Sequence, residues 1–257
     1  MADFDIFQNV LPDPNNTFVE AGGSLNSNGV VVNTGVDGPG YASVKLASEQ
    51  PLLNTRTNSG RLISRSLSGH KWNIDISYNP MTREEFEPVS SFIMQQKASL
   101  QPFFVSLPQY RVPRDPTFAT YAASNEFTAA SSASNGIAGQ TTILVARTGY
   151  SSVTNGKAKP GDIFTITDGG DFRHTKVYQI TRVEVAGTHL STGTDLGVTQ
   201  QLLHFNPPLT RTLIASQSVI NFHDPKFRVI FASDLVEYSL NTNNLYSFSL
   251  KLEEALR

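Results

Sequence analysis

The 257-residue chain contains no cysteine. Disulfides, thiolate nucleophiles and cysteine-ligated zinc are excluded together, while the compartment stays open. Charge is scarce as well. Only 16% of residues are Asp, Glu, Lys or Arg, and 20 basic against 22 acidic side chains leave a formal net charge of −2. That balance gives no reason to expect nucleic-acid specificity or attraction to an anionic membrane. No run of eighteen apolar residues occurs, so membrane insertion by a helix is not expected. The first residues, MADFDIFQNV, are acidic and lack the basic-then-apolar pattern of a secretory signal. A chain of this length can build one large or two modest domains and bury a sizeable core without cross-links.

Ser, Thr, Asn and Gln take the place of charge, and short apolar runs alternate with turn residues. GVVVNTG (29–35) and YASVKLA (41–47) read as short strands. In KWNIDISY (71–78), Trp72, Ile74, Ile76 and Tyr78 fall on one face and Lys71, Asn73, Asp75 and Ser77 on the other, the alternation of a half-buried strand. RLISRSL (61–67) is read as its partner.

MTREEFEPVSSFIMQQK (81–97) is the one helical pattern. Thr82 followed by Glu85 makes a capping box, and Phe86, Val89 and Ile93 recur at helical spacing. Pro88 leaves two starts open. Thr82 caps and Pro88 sits inside, or the regular helix begins near Glu87 with Pro88 as its first residue. Beyond the strand PFFVSLP (102–108), the stretch 113–140 is dominated from Ala119 onward by Ala, Ser, Thr and Asn without periodicity, and reads as a linker. Five strand-like runs follow, at 141–147, 162–167, 175–183, 201–205 and 218–222, enough for a small barrel. The alternating runs at 227–231 and 246–252, with the turn NTNN (241–244) before the second, return to the style of the first region. The expected organisation is therefore a discontinuous domain, 1–125 with 226–257, around an inserted β-barrel at 126–225.

Chemistry is sought mainly in KPGDIFTITDGGDFRHTK (159–176), where Asp162, Asp168, Asp171 and His174 could bind a hard cation. The same residues make ordinary turns, with Pro160-Gly161 turning and Asp162 bonding locally. The five histidines, at 70, 174, 189, 204 and 223, show no paired-ligand spacing, and no phosphate loop or nucleophile elbow is present. Glu84, Glu85 and Glu87 suit the first turns of a helix. Arg61 and Arg65 share one strand face, which is either solvated or meets an acidic partner. We assign no catalytic, cofactor-binding or metal-binding residue, and expect no cofactor and no enzymatic activity.

Residues 66–108, with strand, helix and strand in that order, resemble the ring-forming module of tail-tube-like proteins of tailed bacteriophages. The stretch 159–222, with its Gly-Asp turn, its KVYQ strand and its PPL exit, resembles the barrel inserted in phage tail-tip proteins. LYSFSLKLEEAL (245–256) is similar to their closing strand. The resemblance implies a mainly β fold: a tail-tube-like β-sandwich or barrel with one packed helix, plus the inserted small barrel. It implies a structural component of the virion tail, made in the host cytoplasm. The expected assembly is a homo-oligomeric ring, usually a hexamer, at the distal tail or baseplate hub, joining the tail tube to tip, fibre or baseplate proteins. A tail tube initiator, a tail completion protein and a carbohydrate-binding β module are the alternatives.

Overall fold

The computed structural model describes residues 10–14, 38–66, 69–130, 135–168, 174–187, 196–214, 217–233 and 237–255. The expected strand 29–35, Asp171 and His189 lie outside them. The chain divides into two compact units, Met1–Val105 with Arg228–Ala255, and Ser106–Phe227. Both are mainly β.

The first unit is a sheet of β1 (Tyr41–Glu49), β4 (Lys71–Tyr78), β14 (Tyr246–Glu254), β12 (Lys226–Phe231) and β5 (Phe103–Ser106), in that order, antiparallel from β1 to β12. β13 (Tyr238–Leu240) adds to β14 as a hairpin arm closed at Asn241–Asn244. Alternation along β4 works as read: Trp72, Ile74, Ile76 and Tyr78 are buried. Register puts Ile76 beside Val44 on one flank and Leu250 on the other, so apolar side chains form rows across strands. Helix α1 (Arg83–Gln95) covers this sheet with Phe86, Val89, Phe92 and Ile93. Phe86 stacks on Tyr246 at 4.5 Å, and Phe92 meets Phe103 edge-on at 5.5 Å.

Thr82 is the cap of α1, and its N–H donates to Glu85 Oε2 at 2.9 Å. Pro88 therefore lies inside the helix, the first of the two readings. The missing N–H would have faced the carbonyl of Glu84, an exposed residue, where water can replace the lost bond.

RLISRSL does not pair with β4. β3 (Leu62–Ser66) pairs with β2 (Leu52–Arg56) in a separate two-stranded sheet, with Leu53 opposite Arg65 and Thr55 opposite Ile63. Periodicity assigns faces but not partners, and β4 is already flanked by β1 and β14.

Residues 10–14 are held in the first unit by a parallel bridge between Val10 and Phe104 and by the Leu11 N–H to the Phe104 carbonyl at 2.8 Å. Gly38 lies against this segment so closely that a Cβ would stand 2.4 Å from the Asp13 carbonyl oxygen. Gly38→Ala is expected to cost about 1–3 kcal/mol, because backbone must give way. Urea unfolding followed by Trp72, the single tryptophan and a residue of this unit, checks it. An unchanged midpoint would mean that 10–14 contributes nothing there.

The second unit is a closed six-stranded barrel, ordered β10 (Gln200–Asn206), β7 (Thr142–Ala146), β6 (Phe127–Ala129), β11 (Ser218–Asn221), β8 (Ile163–Asp168), β9 (Val177–Val185) and back to β10. Closure removes free sheet edges. The stretch read as a linker holds β6 and a second helix, α2 (Pro116–Ser124). Asp115 caps α2 by accepting from the Thr117 and Phe118 N–H groups, and Pro116 takes the first turn. Phe118 is wholly buried among Phe127, Tyr150 and Phe222, with ring centroids 5.1–6.4 Å away.

Candidate functional site

The cluster that drew attention in the sequence is a structural joint. Lys159–Asp162 form a tight turn, with the Asp162 N–H donating to the Lys159 carbonyl at 3.0 Å. Pro160 presets the second position, and Gly161 supplies φ = +95° at the third. The Asp162 carboxylate is buried and accepts two backbone N–H groups, Lys159 at 2.8 Å and Arg114 at 3.0 Å. Burial pushes its carboxyl up from the ordinary value, against the opposing pull of those N–H groups and of the Arg114 and Lys159 charges. Arg114 Nη1 donates to the Pro160 carbonyl at 2.8 Å, and Lys159 Nζ lies 3.5 Å from Asp115, the cap of α2. For Asp115 burial also acts upward, but the Phe118 N–H, Lys159 and the Thr117 N–H outweigh it and hold the carboxyl low. KPGD thus anchors the helix start by contacts spanning 48 residues.

Three of the described histidines each have partners of their own. His70 is buried edge-on to Trp72 at 4.7 Å, and its Nε2 is 2.9 Å from Ser48 Oγ. His174 Nε2 lies 2.8 Å from the Tyr178 hydroxyl, which accepts from the Thr210 N–H at 3.2 Å. His204 Nε2 meets Glu184 Oε1 at 2.7 Å, and Arg182 donates to the same oxygen at 2.6 Å. His223 is exposed. Among the described residues, no three His, Asp or Glu side chains gather where one metal ion could be held. Trp72 is 4% exposed and offers no stacking platform to a sugar.

Unsatisfied surface is concentrated elsewhere. The β2–β3 hairpin leaves Leu52, Leu53, Leu62 and Ile63 about half exposed, at 49–57%. Two strands alone are marginal in water, and this hairpin pairs with no third strand among the described residues. Its Arg56, Arg61 and Arg65 are exposed too, and no acid occurs between Glu49 and Asp75. On the same unit, the β13 arm exposes Tyr238 and Leu240, and Glu84 and Glu87 are exposed on α1. β1 is a nine-residue edge strand, largely exposed and without proline. These are the features of a surface built to be covered. Sequence reading took 61–67 for a partner of β4 and did not single out 52–56. The clue available was three arginines, Arg56, Arg61 and Arg65, with no acid between Glu49 and Asp75.

Two comparisons bear on what this surface belongs to. The family model for the N-terminal part of the A domain of distal tail protein pb9 matches residues 32–110, which contain β1 to β5 and α1. Over 224 residues the chain is 26% identical to distal tail protein pb9 of Escherichia phage T5, covering 85% of this chain and 94% of that protein. The similarity therefore extends across both units, and with the family match on the sheet unit it makes this chain a relative of the bacteriophage distal tail proteins and a structural component of a virion tail.

Proposed function

We propose that the chain forms a ring at the distal end of the phage tail and joins the tail tube to tip, fibre or baseplate proteins. It acts by assembly rather than by catalysis. The observation that carries this reading is the β2–β3 hairpin, whose large apolar side chains stand exposed on a sheet too small to be stable alone. The edge of β1, unpaired among the described residues, adds a row of backbone groups that a neighbouring subunit can pair. We assign ring formation to the sheet unit and contacts with outer tail parts to the barrel, whose closed wall leaves no edge for strand pairing. A heterologous contact between copies closes by rotation, and six copies is the number expected from the resemblance to tail-tube-like modules.

Electron microscopy of the purified protein is expected to show rings with a central opening, and immunogold labelling of virions to mark the tail end remote from the head. Label at the head-proximal end would replace this reading with that of a tail completion protein. A chain that stays monomeric at high concentration and is absent from virions would sink it.

A further inference from the structure

We propose that the β2–β3 hairpin docks on the α1–β13 face of a second copy of this chain, through Leu53, Ile63 and Arg65 on one side and Tyr238, Leu240 and Glu84 on the other. The proposal rests on the ring reading and names the surfaces that would close it. Cross-strand pairing places Leu53 with Arg65 and Thr55 with Ile63 on the same side of the hairpin, which gives that face apolar and cationic character together. No guanidinium of Arg56, Arg61 or Arg65 meets a carboxylate among the described residues.

The opposite character is found beside α1. Phe86 of the helix packs on Tyr238 at 5.0 Å, so the start of α1 and the β13 arm form one continuous surface. Tyr238 is 60% and Leu240 52% exposed on it. Arg83 is committed to Glu87 at 2.6 Å, whereas Glu84 has no cation against it among the described residues. Glu237, next to Tyr238, is a further exposed acid. Guanidinium and carboxylate suit one another as a bidentate pair, and the apolar partners on each side would be withdrawn from water around it. The two surfaces differ and lie on one chain, so each copy has one of each to offer. That is the condition for head-to-tail closure.

The test is a charge reversal in the full-length chain. Native mass spectrometry and sedimentation velocity would compare the wild type, Arg65→Glu, Glu84→Arg and the double variant, with Trp72 fluorescence checking the fold. Each single reversal is expected to weaken self-association at least about tenfold, and the double variant to recover most of it. A wild-type ring indifferent to both reversals, or a double variant no better than the singles, overturns this interface and leaves the ring reading standing. A monomeric wild type removes both. Protection of residues 52–66 from hydrogen exchange in such a monomer would show that the hairpin is covered within its own chain.

Discussion

Asp162→Ala is expected to destabilise the barrel unit by about 3–5 kcal/mol, since two backbone N–H groups lose their buried carboxyl acceptor. The groups belong to Lys159, inside the turn, and Arg114, which leads into α2. The loss should therefore spread from the turn to the helix. Hydrogen exchange would show it as weakened protection across 114–124 and 162–168, with 71–78 in the sheet unit unchanged. Asp162→Asn keeps one acceptor oxygen and should cost less than half as much. The sign of the pH dependence follows from burial, which raises the Asp162 carboxyl above its unfolded value. A raised acid contributes stability that is fully present below the ordinary carboxylate range and is lost as pH rises through the folded value. The gap between wild type and Asp162→Ala should therefore be wider at acid pH than at neutral pH. A gap that widens towards neutral pH would mean that the two N–H bonds, rather than burial, dominate the carboxyl's titration.

The same turn marks how far the amino-acid order alone reaches. Pro160 and Gly161 specify the bend locally, and the alternation in 162–167 specifies the strand after it. Nothing local reveals that Arg114 supplies half of the hydrogen bonding to Asp162, because that contact is made by the fold. Strand β4 was legible for the opposite reason: a half-buried strand writes its burial directly into period two. α2 was not legible by periodicity, since one buried Phe in an Ala- and Ser-rich stretch makes no apolar stripe. Its signal was instead the Asp115-Pro116 pair, a cap followed by a first-turn proline. The hairpin's exposure was not legible because an exposed Leu and a buried Leu on a strand have the same periodicity. Only the company of unpaired arginines separates them.

Phe118→Ala should rival Asp162→Ala, with a loss of about 3–5 kcal/mol. α2 contributes little else that is buried: Phe118 is its one fully buried residue, and Tyr121 and Ala122 pack only in part. Without that ring the helix keeps its Asp115 cap but loses its hold on the core, and nine residues cannot sustain an isolated helix in water. The cavity left behind would be lined by Phe127, Tyr150 and Phe222, which are held by the barrel and its loops and cannot collapse inward without leaving their own partners. Phe118→Leu refills most of the space and should recover more than half of the lost stability, which separates packing from any special role of the aromatic ring. Calorimetry and hydrogen exchange over 116–124 check both variants. Full protection of α2 in Phe118→Ala would show that the helix is held by the Asp115–Lys159–Asp162 joint alone. In that case the turn, rather than the aromatic core, would be what fixes the start of the barrel.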